Sequence, residues 1–325
     1  MTDQSTAPVL SIVPVPGEGT EDVLVGPDGA VFTGTADGSV LRIAPGGARI
    51  DCVGRTGGRP LGLELLPDGR LLVCDAWLGL LALDTGTGRV EVLSRFVHGQ
   101  RMRCVNNAAV HPGGDIWFSD STRVHDIDHW EADIAENTAT GRLLRRRPDG
   151  TVTVEVDGLR FANGVALSAD GAFVAVAESA GRSIVRRWLT GSRTGLVDQL
   201  VADLPGYPDN IALGTDGLVW ATIASPTDPV VERVMRAPMA VRRLATRLPE
   251  RLRPAPRRTA RVMAFDDDGR VVRDISLDAS RFHMVTGVRE HDGTVWLGSL
   301  LEPAVASFSL RRSVSPPVTL GSRGR

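Results

Sequence analysis

The chain has 325 residues, 42% hydrophobic and 23% charged, with 36 glycines and 20 prolines, the make-up of a turn-rich globular protein. A net charge of −2 argues against a protein held on nucleic acid by phosphate neutralisation, and no apolar run reaches the roughly 18 residues of a membrane span. All 37 cations are arginine, so Schiff-base chemistry on a lysine and a phosphate loop that needs one are both excluded.

A unit made of an apolar alternation, an Asp-Gly type turn and a second apolar run recurs along the chain. Its copies are EDVLVGPDGAVFTG around Gly29, LGLELLPDGRLLVCD around Gly69, NNAAVHPGGDIWFSD around Gly114, NGVALSADGAFVAVAE around Gly171, DNIALGTDGLVWATI around Gly217 and TGVREHDGTVWLGS around Gly293. Each turn glycine supplies the positive φ of a tight hairpin. The shorter intervals match the ~40–45 residues of a four-stranded propeller blade. Insertions lengthen two of them: Arg123–Thr140 after the second strand of blade three, and Pro226–Pro256 in blade five.

Further alternating runs such as Ser39–Ile43, Gly79–Asp84 and Ser183–Leu189 supply the outer strands. The expected fold is all-β, a six-bladed β-propeller over residues 9–310 with a helical insertion in blade five. Val9–Val15 is expected to close blade six as its outer strand, and residues 1–8 and 311–325 are expected to be disordered.

The innermost strand of a blade lines the tunnel, so one repeat position forms a ring around its mouth. Eight residues before the turn glycines stand Glu21, Leu61, Asn106, Asn163, Asp209 and Val285, and the next position adds Asn107 and Asn210. Four oxygen donors at one register, with neither sulfur nor imidazole, suit a hard divalent cation, Ca²⁺ before Mg²⁺. Local capping by Asn and Asp is the plainer account of any one of them, but it does not explain Glu21.

The segments RPLGLELLPDGRLLVCDAWLGLLALD, NNAAVHPGGDIWFSDST, GLRFANGVALSADGAFVAVAES and LPGYPDNIALGTDGLVWATI also carry a family resemblance. The chain resembles the superfamily of senescence marker protein/gluconolactonase, paraoxonase and diisopropyl fluorophosphatase, and most of all its strictosidine synthase-like branch. That resemblance implies a Ca²⁺-type ion held by Glu21, Asn106, Asn163 and Asp209, with Asn210 as a further ligand. It also implies an aspartate, Asp209, acting as general base or nucleophile. The chain departs from strictosidine synthases at Thr286, where they use a glutamate, and from paraoxonases at Arg59–Gly62, which lacks their catalytic histidine.

His125 and His129, in the blade-three insertion, are weak candidates for substrate contact, as is Thr286. The segment from Arg233 to Arg261 carries ten arginines; Val234, Met235, Met239, Val241, Leu244 and Leu248 give it an amphipathic helical pattern broken by Pro238 and Pro249. It reads as a helix packed at the mouth with a solvated basic face, and peripheral membrane contact through 230–256 stays open. Three cysteines, an odd number without zinc spacing, and a start lacking a signal-peptide layout suggest a reduced, cytoplasmic protein. The expected function is hydrolysis of a lactone or ester with a metal-polarised carbonyl and a small-molecule substrate. The alternatives are a non-hydrolytic cyclase or condensing enzyme of the strictosidine synthase-like type and a non-catalytic, metal-stabilised binding propeller.

Overall fold

The computed structural model describes residues 8–249 and 257–310. Six four-stranded antiparallel sheets follow one another along the chain. Their innermost strands are Val23–Val25, Pro60–Leu65, Val105–Val110, Ala162–Leu167, Gly206–Leu213 and Val285–His291. Each packs on the next, and the last returns to the first, closing the ring. The outermost strand of blade six is Ser11–Pro14, paired antiparallel with Ala304–Ser309 in the register Ser11 to Ser307 and Pro14 to Ala304. The ring is thus tied by both ends of the propeller, with Thr20 Oγ1 donating to the carbonyl of Ala304 at 2.7 Å. Expectations for residues 1–7, 250–256 and 311–325 fall outside the described residues.

The glycine turns predicted from the repeat are present, with φ between 68° and 90° at Gly29, Gly69, Gly114, Gly171, Gly217 and Gly293. Between blades the core is apolar. Phe173, Trp188, Ile223 and Phe265 pack in one cluster, and Leu72, Phe118 and Leu144 in another. Cys74 and Cys104 are buried free thiols within this core.

Three short α-helices occur among the described residues. Helix α1 (Trp130–Glu136) lies in the blade-three insertion. Helices α2 (Pro229–Arg236) and α3 (Met239–Thr246) lie in the blade-five insertion. Asp228 caps α2 through Val230 N (2.8 Å) and Val231 N (3.2 Å), and Pro238 ends it. Strand direction places both insertions at the end of the tunnel where the inner strands begin.

Candidate functional site: an oxygen-lined tunnel mouth under a helical roof

The inner strands of blades two to six share one irregularity. Their pairing to the second strand skips between Pro60 and Leu63, Val105 and Ala108, Ala162 and Val165, Pro208 and Ile211, and Val285 and Val288. A bulge re-aims the residues it frees from the ladder. In blades two to five it frees the ring position and its neighbour, so Asn106–Asn107 and Asp209–Asn210 leave the ladder together; in blade six Val285 stays paired with Ser299 and the freed residues are Thr286 and Gly287, one position further on. In blade one, Glu21 and Asp22 precede the strand.

Close blade contact permits this arrangement because glycines sit beside the amides. A Cβ on Gly62 would lie 2.7 Å from Asn107 Cα, and one on Gly164 would lie 2.0 Å from Ile211 N. Asn107 then stitches the tunnel: its Nδ2 donates to Asp22 Oδ2 at 3.2 Å and its Oδ1 accepts from Val165 N at 2.9 Å. Asp22 also accepts from Leu63 N at 3.1 Å. Asp22 stands at the same repeat position as Asn107 and Asn210, one past Glu21, where the sequence reading named only the two amides.

The ring residues themselves behave differently. Glu21, Asn106, Asn163 and Asn210 are buried, while Asp209 is partly open to a cavity. Among the described residues, Glu21 Oε2, Asn106 Oδ1, Asn163 Oδ1 and Asp209 Oδ1 have no hydrogen-bond partner, nor do Oδ1 and Nδ2 of Asn210. An unpaired buried polar atom costs ~1–3 kcal/mol. Four such oxygens at one register therefore form a set that fits a hard cation. Two carboxylates with neutral amides balance a divalent charge. Among the described residues no group of three or more His, Cys, Asp or Glu side chains is arranged to hold a metal ion, so an oxygen site here must count amides.

Electrostatics agree with the geometry. Burial pushes the Glu21 carboxyl up to about 7, against the lowering pull of Arg59. Burial and then the nearby Glu21 push Asp209 well above the usual carboxylate range, against a hydrogen bond from Asn163. Two carboxylates this close hold both charges only with a proton or a cation between them.

Beside Asn163 and Asp209 opens a cavity of about 150 Å³. Its walls are largely apolar, with Phe161, Tyr207 and Met284 at the sides, and Trp130 and Ile134 of α1, Val231 and Val234 of α2, and Ala245 and Thr246 of α3 overhead. The roof is clasped at Glu136, whose Oε1 accepts from Thr246 Oγ1 at 3.1 Å and whose carbonyl accepts from Arg242 Nη1 at 2.8 Å.

The remaining candidates sit elsewhere. His125 Nε2 lies 3.3 Å from Glu136 Oε2, bracing the clasp outside the cavity. His129 is mostly exposed and pairs with Asp126 at 2.6 Å. Thr286 is wholly buried and its hydroxyl donates to the Glu21 carbonyl at 2.8 Å, so it supports a ring residue and does not line the cavity. The cavity's aromatic walls have no repeat signature and are invisible to a register argument.

A six-bladed propeller whose tunnel mouth gathers buried oxygens beside a roofed cavity defines the class. The strictosidine synthase family profile matches residues 106–192, and that of the strictosidine synthase-like N-terminal region matches residues 10–43. Adipocyte plasma membrane-associated protein of Gallus gallus is 32% identical over 332 residues, covering 90% of this chain and 77% of the relative. Its counterpart from Rattus norvegicus is 33% identical over 325 residues, covering 90% and 85%. Protein STRICTOSIDINE SYNTHASE-LIKE 13 of Arabidopsis thaliana is 33% identical over 222 residues, covering 66% and 55%. The chain belongs to the strictosidine synthase-like family.

Solved structures share the fold. A gluconolactonase from Xanthomonas campestris superposes with a TM-score of 0.68 at 16% identity, covering 93% of this chain and 89% of that one. The calcium-binding protein regucalcin from Agrobacterium tumefaciens superposes with 0.64 at 14%, covering 91% and 90%. The relatives overturn the cytoplasmic expectation, since those matched over nine-tenths of this chain are plasma membrane-associated proteins. No described helix is long and apolar enough to cross a membrane. Cysteine count and propeller composition report on redox state and core, and neither encodes an attachment to membranes.

Proposed function

We propose that the propeller, residues 9–310, is a metal-dependent hydrolase of a lactone or ester, with Ca²⁺ as the expected ion. The observation that carries this reading is the set of four partnerless oxygens on Glu21, Asn106, Asn163 and Asp209, beside an apolar cavity. These four side chains would hold the cation, with Asn210 as a further ligand, and the bound ion would polarise the substrate carbonyl. Asp209 takes the proton of the attacking water, or attacks the carbonyl itself. Asn163 is itself held by its Nδ2, which donates to Ser179 Oγ at 3.2 Å, and the roof helices exclude bulk water from the cavity. The gluconolactonase and regucalcin likenesses support this reading, as does the absence of a carboxylate at Thr286 for a strictosidine-type condensation. The relatives' names bring a membrane-associated location into the same proposal.

A panel of lactones and aryl esters, assayed with and without chelator, tests the activity. Asp209→Asn at saturating Ca²⁺ tests the role. The variant is expected to bind the ion and to lose about 10²–10⁴-fold in rate, the worth of a general base. Recovery to near the wild-type rate would remove Asp209 as base and nucleophile.

A further inference from the structure

Helix α3 is amphipathic in the reverse sense. Arg242, Ala245 and Thr246 face the protein, Ala245 and Thr246 as part of the cavity roof. Its large apolar residues face out, with Met239 40% exposed, Val241 49% and Leu244 65%. At 100° per residue Val241 and Leu244 share one side of the outward arc, and the exposed Arg243 and Arg247 share the other. Among the described residues these apolar side chains are left largely uncovered, and the helix already packs by its opposite face.

The propeller topology adds a second observation. Connections from second to third strand, and from fourth strand to the next blade, all lie at the tunnel mouth, and they expose Trp77, Phe96 and Leu301. At the opposite end Val9, Leu196, Val197, Val271 and Val272 are exposed, but none of them lies on an α-helix. Residues 229–249 hold five arginines against a single glutamate, in a chain whose net charge is −2. Apolar side chains beside arginines on one exposed helix are the make-up of an interfacial element that enters the headgroup layer of an anionic bilayer.

We infer that the mouth face docks on an anionic membrane through the outer face of α3, which places the roofed cavity at the bilayer surface. This extends the membrane-associated location proposed above by naming the surface, and it brings apolar substrates dissolved in the bilayer within reach of the cavity.

The test is co-sedimentation of the full chain with phosphatidylcholine vesicles, with and without phosphatidylserine, at low and high salt. Binding is expected with phosphatidylserine and is expected to weaken as salt screens the arginines. Leu244→Glu should weaken it at least about tenfold and Arg247→Gln about fivefold, while Leu196→Ser leaves it unchanged. Equal binding by wild type and Leu244→Glu would overturn the inference, as would no binding to any vesicle. A dimer in sedimentation velocity that Leu244→Glu dissolves would overturn it too, because a second copy would then own the face. Vesicle-free ester hydrolysis is read separately. Its absence in a wild type that binds vesicles would sink the hydrolase reading and leave this one standing.

Discussion

At the tunnel mouth, Asn163 of blade four and Asp209 of blade five come from the same strand position, bulge and turn. In the roof, no residue of α1 has a counterpart in α2 or α3. The ring is held through backbone contact at glycines and buried hydrogen bonds such as Asn107 to Asp22. The roof is held by the small cluster of Ile134, Phe161, Ala180 and Met235 and by the clasp at Glu136. A part that repeats is over-determined by its neighbours, and a part that is inserted once can move without them. The ring should therefore fail globally and the roof locally.

The largest expected effect is a backbone one. Gly164→Ala puts a Cβ 2.0 Å from Ile211 N, where blades four and five meet and neither strand can withdraw without opening the ring. A loss upward of about 3 kcal/mol is expected in thermal or denaturant melts. Gly86→Ala, with only an Asp84 oxygen at 3.4 Å, serves as the neutral control. A Gly164→Ala protein as stable as wild type would mean the ring is looser than its contacts imply.

The ring was legible in the sequence for the reason that makes it fragile. A repeat multiplies one weak signal, so Glu21, Asn106, Asn163 and Asp209 stand out together where any one alone reads as a cap. The six blades and the closing strand at Ser11–Pro14 follow from the same pattern. The bulge that turns two successive residues into the tunnel has no residue signature of its own, so the roles of Gly62 and Gly164 emerge only in three dimensions. The roof was legible as helix but not in orientation. The spacing of Val241 and Leu244 marks an amphipathic helix, and amphipathicity alone suggests the apolar face turned inward. The structure turns it out, because Ala245 and Thr246 fit the cavity and Arg242 reaches the Glu136 carbonyl. His125 and His129 looked chemical by type and lie outside the cavity, since the insertion is anchored by Trp130 and Ile134 instead.

A smaller effect is expected from removing the ion proposed for the ring. A ligand that binds only the folded state adds about 2.7 kcal/mol at 100 times its dissociation constant. Chelation should lower the wild-type Tm accordingly and hardly change that of Glu21→Gln, which lacks one charged donor from the start. Elemental analysis without a stoichiometric divalent metal, together with a chelator-insensitive melt, would break the metal reading while leaving the blade geometry intact.

The smallest effect on global stability, and the one that sharpens the contrast most, is expected in the roof. Met235 is the buried anchor of α2, 6% exposed and packed with Ile134, Phe161 and Ala180. In a cooperative core, Met→Ala costs roughly 2 kcal/mol or more. If the roof opens as its own unit, that cost falls on local opening and leaves the unfolding of the ring almost untouched. Met235→Ala should then speed amide exchange in α2 and α3 by about 30-fold, the factor that 2 kcal/mol represents. Exchange in the second strand of blade three, Ile116–Asp120, should stay at the wild-type rate, and the Tm should barely move. Because the roof bounds the cavity, KM for an ester substrate should rise more than kcat falls. Equal acceleration in the roof and in Ile116–Asp120 would mean that both open as one unit, and the division between a repeated ring and an inserted roof would no longer hold energetically.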